Sequence, residues 1–363
     1  MESKNLVKAG IFSLILVVVF IASWEFYLRS KGFETSYHDD PALWTHKREM
    51  VYEPADKATI FIGSSRIKFD LDIDTWQNIT GDHAIQLACV GSTPVPILQD
   101  LANDKNFKGK LIIDVVEGLF FSTAYGNAKR PVENMKYYKE QTPAQRASFH
   151  INYLLESQFV FLEKEWLSLN ELLKRSQIPN RPGVYEFPGF PSEFGRVKFN
   201  RQEYMTEKLE ADTNIQNKVK GIWESFRKMA PPLPPPGPAL DSVLAATGKE
   251  QDSIFNVVKN AVDKIKSRGG QVLFVRPPSS GGYLMGEKMG FPREKYWEKI
   301  LAVTNSPGIH FEDYPAIAHF ECPELSHLKL SDAIIFTKNL IKILEEEKGW
   351  KFPYKQNPVA VNN

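Results

Sequence analysis

The chain has 363 residues, with 45 Lys and Arg against 44 Asp and Glu and a formal net charge of +1. That balance leaves no excess positive field for a nucleic-acid surface, so any partner has to be argued from a local site. The length allows one elaborated domain or two smaller ones, of which one decorated domain is expected, and the two cysteines, Cys89 and Cys322, are too few for a disulfide scaffold or a cysteine-rich zinc site.

No charge interrupts Ala9 to Trp24, "AGIFSLILVVVFIASW". Counted to Leu28, the stretch has about 20 residues, the helical length that crosses a bilayer. Lys4 and Lys8 precede it, and Trp24 and Tyr27 fall where an interfacial aromatic belt would lie. The pattern predicts a short cytoplasmic N-terminus over 1–8, a single membrane anchor over 9–28 and the rest of the chain outside the cytoplasm. The alternative is a cleaved signal peptide, with Ala22 and Ser23 near a cut, after which the protein is exported. Both readings place the globular part where a Cys89–Cys322 disulfide is permitted; two buried thiols are the other option.

Residues 29–57 are mixed and polar, with Trp44 and Tyr52 as apolar anchors, and read as a juxtamembrane linker that packs back on the domain. From residue 58 the pattern turns to near-continuous apolar runs: "TIFIG" (59–63), "HAIQLACVG" (83–91) and "KLIIDVV" (110–116). Amphipathic pieces such as "VPILQDLAND" divide them, which predicts an α/β fold with a parallel sheet covered on both faces. The pattern breaks near residue 120 and resumes with "GGQVLFVRPP" (269–278) and "GIHFEDY" (308–314). The core is thus split into 58–120 and 268–350 around a helical insertion, 121–267. Within the insertion, the Pro-rich 231–239 reads as a stiff connector.

The glycine-rich "SSGGYLMGEKMGF" (279–291) reads as a mobile loop bordering the sheet edge, without P-loop spacing. A terminal helix is predicted from Ser331 as N-cap to a stop at Gly349. The tail, 351–363, is polar and expected to fray.

The chemistry concentrates at two places. Gly63-Ser64-Ser65-Arg66 closes the first strand, where ligands of open α/β sheets collect, and the turn aims hydroxyls and backbone N–H groups at that edge. The plainer reading is a serine N-cap on the next helix. Near the C-terminus, Glu324-Leu325-Ser326-His327 supplies a base: His327 can take a serine proton while Glu324 binds its other ring nitrogen. Asp313 is the reserve acid. Arg66 and Arg276 flank the same edge and could hold an anionic group in a two-pronged hydrogen bond, or each could pair with a nearby carboxylate.

On these residues the sequence resembles the SGNH (GDSL-like) hydrolase superfamily, in the branch whose first motif is G-S-S-R, over 58–118 and 270–345. The resemblance implies a three-layer α/β/α sandwich with Ser65 as nucleophile and Ser64 in the usual aspartate position. It implies that backbone N–H groups of Ser65 and of Gly91, in "ACVGST", hold the oxyanion, and that Glu324 and His327 stand for the final D-x-x-H block. Substrate-binding roles fall to Ser64, Arg66 and Arg276, and neither metal nor cofactor is implied. Two departures stand out. Glutamate replaces the aspartate of the last block, and "EGLFFS", beginning at Glu117, follows the third strand where the family has an asparagine donor; an ionised Glu117 only accepts.

The function so implied is a membrane-anchored serine esterase or O-acyltransferase acting on acyl, foremost acetyl, esters of a cell-envelope glycan. It is similar to the accessory proteins that work with membrane-bound O-acyltransferases, with its globular domain periplasmic or otherwise extracytoplasmic. The alternative is a catalytically degenerate domain that binds glycan or scaffolds an acylation or secretion complex. In a third reading, the insertion carries the main function as a protein-interaction module.

Overall fold

The computed structural model describes residues 2–167, 189–229 and 235–353. The chain divides into two compact units, Met1–His38 with Thr142–Phe187, and Asp39–Gln141 with Pro188–Asn363.

The larger unit is α/β. Its five parallel strands, β1 (Ala58–Ile62), β2 (His83–Gln86), β3 (Lys110–Asp114), β6 (Gln271–Arg276) and β7 (Gly308–His310), lie in the order β2-β1-β3-β6-β7. A two-stranded antiparallel ribbon, β4 (Arg196–Val197) with β5 (Glu203–Tyr204), stands apart from this sheet. Alternation along each strand sends Ile60, Ile62, Leu111, Ile113, Val272 and Phe274 to one face. Helices Val95–Asn103, Pro238–Lys266 and Trp297–Thr304 cover that face. Phe61, Ile112, Leu273, Val275 and Ile309 point the other way, against helices Ile73–Thr80 and Leu330–Glu346. Because both faces are buried, the strands read as continuous apolar runs.

From residue 39 on, the segment that follows the apolar helix packs on this unit: Asp40 caps a helix, Pro41–Glu49, and buried Trp44 donates its indole N–H to the Leu87 carbonyl at 2.9 Å. Other expectations are corrected. β2 ends at Gln86, short of residue 91. The buried Arg201 guanidinium donates to the Gln86 and Ala88 carbonyls at 2.7 and 3.0 Å and blunts the sheet edge there. Residues 281–290 form a helix and not a loop. The terminal helix begins at Leu330, whose N–H is met by the Glu210 carboxylate at 3.0 Å, so Ser331 lies inside it. Cys89 and Cys322 are free and buried in different core clusters on opposite faces of the sheet, so they do not pair.

Of the Pro-rich connector, 231–234 lies outside the described residues; Pro238 opens the helix Pro238–Lys266 at its first position, where its missing N–H costs nothing. Residues 168–188 of the expected helical insertion, and 354–363 of the tail, also lie outside the described residues.

In the smaller unit, the helix Glu2–Ser30 is long and apolar enough to cross a membrane, with a mean hydropathy of 2.5 over its most apolar window and none of that window buried. Near its end, the Glu25 carboxylate accepts the backbone N–H groups of Val160 and Phe161 at 3.0 and 3.1 Å.

Candidate active site

The site begins where β1 runs out. Gly63 passes so close to the Asp114 side chain at the end of β3 that a Cβ there would overlap it. Only glycine lets the two strand ends approach this far. The Asp114 carboxylate then accepts both the N–H and the hydroxyl of Ser64, each at 2.9 Å, which turns Ser64 down into the core. With Ser64 so held, Ser65 becomes the first residue of the helix Ser65–Asp70 and remains half-buried.

The Ser65 hydroxyl meets His327 Nε2 at 2.8 Å, and His327 Nδ1 meets Glu324 Oε1 at 2.9 Å. Since the carboxylate can only accept, Nδ1 carries the proton and Nε2 is left as the acceptor facing the serine. Glu324 is fully buried and saturated: Oε1 also takes the N–H groups of Ser326 and His327 at 3.2 and 2.6 Å, and Oε2 takes the indole N–H of Trp223 at 2.5 Å. Burial alone would raise its pKa; the charge and hydrogen bonds of His327, with Trp223, outweigh it and hold the carboxyl below its ordinary range. Leu325, between acid and base, adopts a φ of 83°, and its N–H closes a turn onto the Cys322 carbonyl at 3.0 Å. This sparsely populated conformation aims Glu324 at the histidine three residues on.

Aromatic rings wall the imidazole. Phe69, Phe194 and Trp223 lie with centroids 4.4, 5.6 and 6.0 Å from the His327 ring. Phe194 and Trp223 belong to the insertion, Trp223 on the helix Thr213–Met229. The insertion is therefore built into this site. Excluding water there strengthens the His327–Glu324 attraction. Asp70 lies beneath, accepting the Leu328 N–H at 2.9 Å, and burial pushes its carboxyl well above the ordinary range; burial raises Asp114 as well.

Arg66, Arg276 and Ser64 are all buried with protein partners, and of the two readings for the arginines the structure shows the pairing with nearby carboxylates. Glu287, on the helix Gly281–Gly290, pairs with both arginines, at 2.5 Å to each. Arg276 also reaches Glu117 at 3.4 Å and Ser279 at 2.9 Å. Burial alone would raise the Glu287 pKa, but Arg66 and Arg276 bring it down to about 2. Its contribution to stability is therefore complete above its ordinary value of 4.5 and is lost as the pH falls toward 2. Glu287→Gln is expected to cost about 3–5 kcal/mol at pH 7, because it takes the carboxylate partner from buried Arg66 and leaves buried Arg276 with Glu117 alone. Urea melts at pH 7 and pH 3 check this: the wild type should lose more stability between the two than the variant does.

Gly91 occupies an exposed turn after β2 with a φ of 63°. The Cys89 N–H bonds the Gly63 carbonyl at 3.1 Å, which sets this turn beside the Gly63 bend. Asp313 forms an exposed ion pair with Arg293 at 2.7 Å and makes no contact with His327. Among the described residues no cluster of side chains could hold a metal ion.

Sequence reasoning missed Trp223, Glu287, Asp114 and Asp70. A signal existed for Asp114, a lone acid inside the apolar run "LIIDVV". None existed for Trp223, about a hundred residues from Glu324 in an ordinary amphipathic helix. Fold and site together define an α/β protein with a serine–histidine–glutamate contact chain at the C-terminal edge of a parallel sheet. No protein-family model matches the chain, and no curated protein matches it significantly.

Proposed function

We propose that this chain is an SGNH-like serine esterase or O-acyltransferase, an α/β/α sandwich anchored by its N-terminal helix with the larger unit outside the cytoplasm. The observation that carries the reading is the unbroken series Ser65 Oγ, His327 Nε2 at 2.8 Å, His327 Nδ1 and Glu324 Oε1 at 2.9 Å. Ser65 Oγ attacks an acyl carbonyl while His327 takes its proton, and Glu324 steadies the imidazolium that results. Backbone N–H groups of Ser65 and Gly91 receive the oxyanion. As the intermediate collapses, His327 returns the proton to the departing alkoxide, leaving an acyl ester on Ser65. Water then releases the acyl group as acid, or a sugar hydroxyl receives it, with His327 again as base. The acetyl ester of a cell-envelope glycan is the substrate class, and a membrane-bound O-acyltransferase is the partner that would supply or share the acyl group.

A fluorophosphonate probe tests this. The full chain should gain one adduct, located on Ser65 by mass spectrometry, and Ser65→Ala should abolish it. An unlabelled wild type at neutral pH would instead favour a non-catalytic domain that binds glycan or scaffolds an acylation or secretion complex. One observation supports that second reading: Glu117, a carboxyl group where the superfamily has an asparagine donor, is buried beside Arg276 and has no amide N–H to give an oxyanion.

Trp223→Phe keeps the aromatic wall but removes the hydrogen bond to Glu324. A hydrogen bond to a charged group is worth about 1.5–3 kcal/mol, so kcat on an acetyl ester is expected to fall roughly tenfold or more. The acid limb of the kcat/KM profile should also shift, a change that a purely structural role would not produce.

A further inference from the structure

The helix Pro143–Glu156 begins with a capping box formed by Thr142 and Gln145. One stripe of it is apolar yet uncovered among the described residues: Ile151, Leu154 and Leu155 are 61%, 56% and 42% exposed. Spacings of three and four residues put the three on one helical face. The opposite face carries Glu156, buried and paired with Lys164 at 3.3 Å. A single amphipathic helix would turn its leucines inward; this one leaves them out.

Where the helix ends is informative. Exposed Phe159 and the following turn, Val160–Leu162, are bound to the last turns of the apolar helix Glu2–Ser30. Glu25 takes the Val160 and Phe161 N–H groups at 3.0 and 3.1 Å, and Arg29 bonds both Glu25 at 2.7 Å and the Gln158 carbonyl at 2.8 Å. This attachment lies at the level of Trp24 and Tyr27, whose rings stack at 5.6 Å. A tryptophan–tyrosine pair at the end of an apolar span marks the boundary between acyl chains and headgroups.

We propose that Pro143–Glu156 is a membrane-surface helix whose Ile151, Leu154, Leu155 stripe and adjoining Phe159 embed in the lipid boundary beside the anchor. The inference rests on the reading of Glu2–Ser30 as a membrane span. Lipid is the occupant because the stripe continues from an element already fixed at that boundary, and a surface helix binds through buried apolar area. Charged groups also fit: Glu25, otherwise costly near hydrocarbon, is neutralised by Arg29 and by the two backbone donors.

The test uses the full chain reconstituted in phosphatidylethanolamine–phosphatidylglycerol vesicles. An environment-sensitive maleimide is placed on Ile151→Cys, Leu154→Cys, Val17→Cys or Lys342→Cys, and the wild type, whose cysteines are buried, serves as the blank. Residues 151 and 154 should show blue-shifted emission that nitroxides near the headgroup end of the acyl chain quench strongly and aqueous iodide barely quenches. Residue 17 should respond to nitroxides deep in the chain, and residue 342, exposed on the terminal helix, to iodide alone. Positions 151 and 154 behaving like 342 while 17 stays in lipid would overturn the surface helix and leave the anchor standing. A blue shift at 151 without lipid quenching would overturn it too, by showing a protein surface over the stripe. Iodide quenching at 17 would remove the anchor reading and this inference with it.

Discussion

Ser65→Ala is expected to lower kcat/KM for a small acetyl ester by roughly 10,000-fold or more, the scale on which a nucleophile's removal disables a triad as a unit. Its thermal unfolding should barely move, because the Ser65 side chain is half-exposed and, among the described residues, its hydroxyl bonds His327 alone. The neighbouring substitution should do the reverse. Ser64→Ala removes a hydroxyl donor from buried Asp114, whose other oxygen already lacks a partner. It should cost about 1 kcal/mol of stability, the scale of one net hydrogen bond, because the backbone N–H of residue 64 still meets that oxygen, with much of the activity kept. Two adjacent serines thus separate folding from chemistry. Steady-state hydrolysis and urea denaturation of both variants read this out. Full hydrolysis by Ser65→Ala, or its loss only in Ser64→Ala, would remove Ser65 from the mechanism.

Glu324→Gln is expected to lower kcat by roughly 1,000- to 10,000-fold, as when the acid of a triad is replaced by its amide. An amide must place its NH2 group against one of two neighbourhoods. On the Oε1 side it would meet three donors, the Ser326 and His327 N–H groups and Nδ1. On the Oε2 side it would meet only the Trp223 indole N–H. The second arrangement breaks fewer bonds, so the imidazole stays oriented while the imidazolium formed during attack loses its counter-charge. The pH dependence follows from the same carboxylate. Its folded pKa is held below the ordinary 4.5, so its contribution to stability is present above that value and is lost as the pH falls through the lowered one. The glutamine variant should therefore show a shallower loss of stability in acid. Asp313→Asn serves as the contrast: its exposed pair with Arg293 is far less consequential. Inactivation by Asp313→Asn with activity retained in Glu324→Gln would reassign the acid.

The two motifs that matter were readable because each is local. A glycine followed by serines at the end of an apolar run marks a strand end at the sheet edge, and an acid three residues before a histidine can fold back on its ring. The Leu325 φ of 83° is what makes that second contact possible, and nothing in the residue type leucine announces it. The helix Gly281–Gly290 was hidden for the opposite reason. Glycines depress helix propensity, but the pairing of Glu287 with two buried arginines supplies what propensity lacks.

By itself, the sequence determined the α/β pattern, the apolar N-terminal helix, and the Gly-Ser-Ser and Glu-x-x-His motifs, all of which depend on residues within a few positions of one another. Tertiary structure alone decided that Ser65 and His327 meet, that Ser64, Arg66 and Arg276 turn inward, and that the insertion lends Trp223 to Glu324. Those contacts join residues far apart in the chain, and burial decides them: a charge or hydroxyl removed from water takes whichever partner the folded neighbourhood offers.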